Sequence, residues 1–353
     1  MTSTLLIAIT HLPPFVGGAE SVAWEIAKRV ADRFNVHILT TSTAAPHGGT
    51  SVMVHTVPRR MWLPITYSTL YSSEVKKVLS EVSPDVIHCH MALPWGYILR
   101  NAKPRPIITC HGSEVRRRFD RERYFIKSAL KHATGVTSPC KWLAGYVEKE
   151  YGRQAVMIPN GVDTVSFRPV TRTQRSLNAV LYVGRFIRDK GVLNLIEAAR
   201  ALPEYQFWFA GDRPADAERE SIKIPCLPNV RTIEFIRDRH DLAVLYNQTT
   251  ICAFPSHYEV FPLVGLEAMA CGRAVVATTG PRIGFSEYLE DGRDGILVKP
   301  HDIKGLVRAI QHLMENEPER RRLERNALEK SKQYDWDMIA EKYRILLEDH
   351  VRR

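Results

Sequence analysis

Short apolar, β-branched runs alternate with stretches of helical period along most of the chain. The runs at 4–10, 36–40, 85–89, 106–110 and 155–158 predict strands covered on both faces. After the first run, residues 19–34 place apolar side chains at 19, 22, 23, 26, 27, 30 and 34, which is the 3.6-residue period of a helix packed on a core. A second series begins at 178–183 and continues through 206–210, 249–254 and 273–277. Alternating β and α units predict an α/β architecture of mainly parallel sheets with helices on both faces. The polar, aperiodic stretch 167–176 separates the two series and reads as a linker, and 334–347 predicts an amphipathic terminal helix.

At 353 residues the chain suits two or three domains with large cores. Its 44% hydrophobic and 25% charged residues are ordinary for a globular protein. No apolar run approaches the roughly 18 residues of a membrane-spanning helix. Residues 1–10 lack a basic region and a small-residue cleavage site, so they read as the first strand rather than a signal peptide. The six cysteines are scattered without a C-x-x-C pair, which argues for reduced thiols and a cytoplasmic setting. His88-Cys89-His90 and Cys110-His111 raise the question of a metal, but each closes an apolar run and reads as strand-end residues at a sheet's carboxyl edge. Lys and Arg outnumber Asp and Glu by 49 to 39, a balance that favours nucleotide diphosphates, phospholipid surfaces or nucleic acid as partners. No nucleic-acid motif is visible, so no nucleic-acid partner is expected.

The most informative stretch is 255–272, Pro-Ser-His-Tyr-Glu-Val-Phe-Pro-Leu-Val-Gly-Leu-Glu-Ala-Met-Ala-Cys-Gly. It places Glu259 on the loop leaving a strand and Glu267 in the next helix, eight residues on. In open α/β sheets that loop is where ligands bind, and a helix amino end offers free N–H groups to a diphosphate. Taken alone, such a pair is a loop acid and a helix salt bridge. The surrounding residues resemble the E-x7-E signature of retaining glycosyltransferases of family 4, which have the GT-B fold, with two Rossmann-like domains facing across a cleft. The resemblance recurs in Gly184-Arg-Phe-Ile-Arg-Asp-Lys-Gly191, with one residue fewer between Arg and Lys than is usual. It recurs again in Gly17-Gly18 before the first helix, in Thr109-Cys-His-Gly-Ser-Glu114, and in Ser138-Pro and Ile158-Pro-Asn-Gly-Val-Asp163.

This resemblance implies a retaining hexosyltransferase that moves a sugar from a nucleoside diphosphate donor to an acceptor hydroxyl. It implies no cofactor beyond that co-substrate and no metal. Arg185 and Lys190 would hold the diphosphate, Glu267 the ribose and Glu259 the sugar. Phe261, Pro262 and Leu263 would join them at the helix start, and Gly17, Gly18 and His111 would close from the other domain. Asn160 is a candidate ligand contact. The implied domains are 1–168, 169–333 and a terminal helix, 334–353, that returns to the first domain. Asp335-Trp-Asp337 superficially matches a metal motif of another glycosyltransferase fold, but its place reads as a helix cap. Residues 279–287 and Phe235-Ile-Arg depart from the family pattern, so the base is not legible. Two rivals stay open: a nucleotide-sugar 2-epimerase of the same fold, and a non-catalytic scaffold subunit. The acceptor is unspecified, with a lipid-linked or polysaccharide precursor in view. Residues 114–131 carry seven basic side chains, and Ile126, Ala129 and Leu130 form an apolar helical face; the segment suits either a solvated face or peripheral docking on anionic headgroups at the inner side of the cell membrane.

Overall fold

A computed structural model describes residues 2–12, 17–42, 51–58, 72–112, 114, 120–170, 178–212 and 221–352. The chain divides into two compact units, Met1–Asn160 with Trp336–Arg353, and Gly161–Asp335. In the first unit the strands are β1 (Thr4–Ala8), β2 (Asn35–Thr40), β3 (Met53–Thr56), β4 (Val86–His90), β5 (Ile107–Thr109), β6 (Gly135–Ser138) and β7 (Val156–Met157). They form one parallel sheet in the order β3-β2-β1-β4-β5-β6-β7. Helices α1 (Gly18–Val30), α2 (Ser72–Val82), α3 (Asp120–His132) and α4 (Lys141–Tyr151) connect them. The order reverses between β1 and β4, which opens a crevice at the carboxyl ends of these strands.

The second unit repeats the plan. Its strands are β8 (Ala179–Val183), β9 (Gln206–Ala210), β10 (Val230–Ile233), β11 (Ile251–Phe254), β12 (Ala274–Thr278) and β13 (Ile296–Val298). They too are parallel, ordered β10-β9-β8-β11-β12-β13, with the reversal between β8 and β11. Its helices are α5 (Val192–Ala201), α6 (Arg239–Gln248), α7 (Leu263–Ala270), α8 (Ile303–Glu315) and α9 (Glu317–Ser331). Each sheet is the core of its unit: every residue of β4, β11 and β12 is buried.

The expected strands are present with ends that agree to within two residues. The first stops at Ala8, and the carbonyl of Thr10 instead accepts the hydroxyls of Thr40 and Thr41. The first helix ends at Val30 rather than residue 34, because the chain turns there and Phe34 enters the core ahead of β2. The linker expectation is corrected in part. Residues 161–170 fold onto the second unit: Val162 bridges to Asp335, Phe167 stacks edge-on against Tyr246, and Asn247 bonds the backbone of Arg168 and Val170. Residues 171–176 lie outside the described residues. The unit boundaries accordingly fall after Asn160 and Asp335 instead of at 168 and 333.

The terminal helix α10 (Trp336–Val351) belongs to the first unit. Trp336, Ile339, Ala340, Tyr343 and Leu347 are buried there, and Asp337 takes Arg29 of α1 at 2.6 Å. The Asp335 carboxylate accepts the Thr164 hydroxyl, so both acids of the Asp-Trp-Asp stretch tie the chain to side chains distant in sequence. In α3 the apolar face of Ile126, Ala129 and Leu130 is consumed by the core. Its outer face presents Arg121, Arg123, Tyr124 and Lys127, while Val115 to Phe119 lie outside the described residues. Among the described residues no helix is long and apolar enough to cross a membrane.

Candidate active site

In the second unit, the reversal of strand order brings together the loops that leave β8 and β11, which are far apart in sequence. The β8 loop passes through Arg185 and a tight turn at Arg188–Lys190 to Gly191, which has φ +67°. A Cβ at Gly191 would overlap the carbonyl oxygen of Pro255, so glycine lets the two loops touch backbone to backbone. Asp189 O then accepts the His257 N–H at 2.8 Å. With the loops so seated, Lys190 Nζ lies 2.5 Å from Glu259 Oε1, and Ser256 Oγ donates to the same oxygen at 3.3 Å. Both charged side chains are mostly covered, at 20% and 12% exposure.

The loop that departs from the family pattern supports this glutamate. Glu259 N donates to Arg282 O at 3.1 Å, and Gly284 N donates to Glu259 O at 3.0 Å. Gly284 packs so closely on the Val260 carbonyl that a side chain there would overlap it. Phe261 is buried against Tyr288, whose hydroxyl donates to Pro262 O at 2.7 Å, and Leu263 opens α7. One turn into α7, the Glu267 carboxylate accepts the Tyr246 hydroxyl at 3.0 Å. Burial pushes the Glu267 carboxyl up to about 6, against the opposing effects of that hydrogen bond and of Arg239. Arg185 is exposed, and among the described residues it has no ion-pair partner.

Sequence reasoning left out two further groups at this edge. The His257 ring lies against that of His301, tilted by 36° with centroids 3.8 Å apart, and its Nε2 meets Asn194 Nδ2 at 3.1 Å. Burial, then His301, holds its imidazole below the ordinary value, with Asp189 opposing. The spacing of 255–259 gives no hint of His301, which arrives from the loop after β13. A cavity of about 670 Å³ opens beside the β8 loop, lined by Phe186, Asp212, Lys223, Glu234, Phe235 and Arg237. The Phe235-Ile-Arg stretch, which carries no family glycine, thus walls a cavity.

In the first unit, Gly17 caps α1 with extended backbone, φ −148°, and Gly18 is its first residue with open space around it. Glu20 folds its carboxylate against Gly17, over the amino end of the helix. An acid of the chain's own first turn thus stands beside Gly17, one of the two glycines expected at a phosphate. Asn160 is buried at the end of the unit, in the segment leading to the second.

His111 follows β5 and is half-buried. Its Nε2 lies 3.0 Å from His90 Nδ1, with the two rings stacked at 5.2 Å. His88, two residues before His90 on the same face of β4, stands 4.4 Å from the His90 ring and 5.5 Å from that of Tyr343. Its Nε2 meets Thr109 Oγ1 at 2.7 Å, which in turn meets Thr137 Oγ1 at 2.6 Å. Burial drives the His88 imidazole down to about 3 and that of His111 to about 4, and it holds His90 well below the ordinary value. The loop after His111 is pinned by Glu114, whose buried carboxylate accepts Gly112 N at 2.8 Å and Ala92 N at 3.2 Å.

Two family models match the chain in series: Glycosyltransferase Family 4 over residues 16–166 and Glycosyl transferases group 1 over residues 166–330. The chain belongs to the family 4 glycosyltransferases and is a glycosyltransferase. It is 28% identical over 346 residues to an uncharacterized glycosyltransferase of Methanocaldococcus jannaschii, with 95% of each chain covered. Sucrose-phosphate synthase from Thermosynechococcus elongatus shares the fold with a TM-score of 0.83 at 23% identity, over 98% of each chain. Anabaena HepE, solved in complex with UDP-glucose, gives 0.79 at 20% identity, over 98% of this chain and 99% of its own. These likenesses define the fold as GT-B.

Two outcomes follow from this geometry. Gly191→Ala must give up either the left-handed backbone or the contact with Pro255. It is expected to destabilise the protein by about 2 kcal/mol or more and to part Lys190 from Glu259; a urea midpoint equal to that of the parent would contradict the close approach. The second outcome concerns pH. His88, His90 and His111 have folded values below the 6.5 of a free imidazole. Below pH 6.5 the unfolded chain therefore binds protons that the folded chain refuses, and stability falls toward pH 4 by about 1.4 kcal/mol per pH unit per histidine. Glu267 acts with opposite sign, since its folded value of about 6 exceeds the 4.5 of a free carboxyl, but it opposes three protons with one. Urea midpoints that stay flat between pH 7 and pH 5 would show that these imidazoles are not held neutral.

Proposed function

We propose that the chain is a retaining hexosyltransferase that transfers a sugar from a nucleoside diphosphate donor to an acceptor hydroxyl without a divalent ion. The observation that carries this reading is the Lys190–Glu259 pair, held where the strand order reverses and beside the amino end of α7. A ligand at such a crevice meets a cation, a carboxylate and unpaired helix N–H groups together. HepE, which shares the fold, binds UDP-glucose in its solved complex, and the same class of donor is assigned here.

Arg185, exposed and without an ion-pair partner among the described residues, is assigned the diphosphate along with Lys190. Cations there offset the negative charge that grows on the leaving group as its bond to the sugar breaks. That supply of positive charge is the reason for assigning metal independence. Glu259 receives the donor sugar and Glu267 the ribose. Phe261, Pro262 and Leu263 line the helix start, and the cavity walled by Phe186 and Phe235 suits the base. In the first unit Gly17 and Gly18 are assigned the phosphates, with Glu20 displaced from the helix end when they bind, and His111 is assigned a sugar hydroxyl. In the retaining course, the acceptor attacks from the face that the phosphate leaves, and the departing phosphate oxygen takes the acceptor's proton. Glu259, already shared by Lys190 and Ser256, serves as a hydrogen-bond acceptor rather than a nucleophile.

The two glutamates are expected to fail differently when assayed with a panel of nucleotide sugars in chelator-treated buffer. Glu259→Ala should lower kcat by about a hundredfold, because contacts at the reacting sugar strengthen as charge develops. Glu267→Ala should mainly raise the donor KM, by about tenfold, because a ribose contact changes little during reaction. Full turnover in both variants would refute the role of Glu259, and activity that returns only with magnesium or manganese would refute metal independence. An anomeric configuration inverted between donor and product would refute retention.

For the acceptor side, we propose peripheral contact with an anionic surface through the exposed basic and aromatic side chains of α3. The buried apolar face of this helix supports headgroup contact rather than insertion. Arg121 lies over the Phe125 ring at 5.9 Å, and Tyr124 is 67% exposed beside it. The protein should co-sediment with anionic but not neutral vesicles. Replacing Arg121, Arg123 and Lys127 by serine should weaken that binding by about 3 kcal/mol; equal binding by parent and variant would leave a soluble acceptor.

A further inference from the structure

We propose that His90 is the positioning residue for His111: its Nδ1–H donates to His111 Nε2, so that His111 carries its only proton on Nδ1. The proposal rests on the reading above in which His111 contacts the donor sugar, and it states through which nitrogen His111 donates. The two facing nitrogens are 3.0 Å apart in stacked rings, and a hydrogen bond at that distance needs one proton between them, not two or none.

Two arrangements of neutral rings satisfy the bond, and the far side of His90 decides between them. His90 is fully buried, and its Nε2 has no hydrogen-bond partner among the described residues. If His111 donated, the His90 proton would sit on that Nε2 as a buried N–H with nothing to receive it. Orphaned buried N–H groups are the rarer and costlier defect, whereas a bare ring nitrogen leaves only a lone pair unused. The proton therefore belongs on His90 Nδ1, between the rings. The same rule assigns the neighbouring ring: His88 Nδ1 is also buried without a partner, so His88 donates from Nε2 to Thr109, and Thr109 donates to Thr137.

The surroundings keep both rings neutral. The titratable groups around His90 are His88 on its own strand, His111 from the β5 edge and, behind His88, Tyr343 and His350 of α10. The nearby Glu114 carboxylate is turned to the amides of Gly112 and Ala92. A protonated His111 would have no lone pair left for His90, and the stacked pair would break.

The test reads the tautomer directly. In protein with 15N-labelled histidine, two-bond correlation spectra at pH 7 should show His111 with a bare Nε2 and a protonated Nδ1. A protonated Nε2 on His111 would overturn the assignment, with or without a substrate in hand. His90→Leu removes the donor and should lower kcat by about ten- to hundredfold while the donor KM changes little, as for other partners that orient an imidazole. His90→Gln keeps an N–H and should recover most of that loss together with the His111 tautomer; a glutamine variant no better than leucine would also overturn the proposal. His111→Ala separates the two claims. If it leaves turnover intact, the sugar contact of His111 fails, while the spectrum still decides what His90 does.

Discussion

The contact between Gly191 and the carbonyl of Pro255 is what the site in the second unit depends on. β8 and β11 are adjacent in the sheet although some seventy residues separate them, so only the reversal of strand order brings their loops together. Adjacency alone would leave the loops a side chain apart. The absence of a Cβ at Gly191 lets them touch, and the Asp189–His257 backbone bond then fixes their register. From that seating follows the meeting of Lys190 and Glu259, two long side chains that would otherwise gain little from pairing in water. Partial burial makes the pair worth holding, and Ser256 and the loop through Gly284 take up the remaining freedom of the carboxylate.

The first unit uses the same topological device but sets a cluster of imidazoles at its edge. At the carboxyl end of β4 and β5 stand three imidazoles in place of a cation and a carboxylate. Desolvation prevents them from taking up charge, so they act on one another only as donors and acceptors, and each proton has a definite place. A sugar hydroxyl is a neutral partner, and a neutral imidazole of fixed tautomer recognises it at no cost in ion desolvation. The diphosphate is anionic, and the cations that suit it lie in the second unit.

Much of this was legible in the sequence, for reasons that can be named. The strands buried on both faces read as continuous apolar runs, and β9 was found to the residue. The edge strands β3, β10 and β13 were not singled out, because their short, largely half-exposed runs carry no clear pattern, nor was the interior strand β6, whose Gly-Val-Thr-Ser has a single large apolar residue. The positions of Glu259 and Glu267 on loop and helix were visible from the change of period between 254 and 263. The Lys190–Glu259 pair was not, since the motif that supplies each partner is silent about the other's reach. His90 was noted only as a strand-end residue. The available signal was the spacing of His88 and His90, which in a strand puts both rings on one face. Residues 167–170 looked like linker because they open the aperiodic stretch 167–176, yet the backbone of Arg168 and Val170 is bound by Asn247, a helix residue some seventy-seven positions later.

The contrast between the two glutamates shows how environment assigns roles to one residue type. Glu259 sits on a loop and meets a lysine ammonium at 2.5 Å; Glu267 sits in a helix and meets a neutral phenol at 3.0 Å. The first is tied to a lysine ammonium and to the Ser256 hydroxyl. The second is tied to a tyrosine anchored in the core, and burial has already drawn its carboxyl up to about 6. That carboxylate is held in place by the buried phenol and by the core around it. The eight-residue step between them runs from the loop after β11 through Phe261 and Pro262 to one turn into α7.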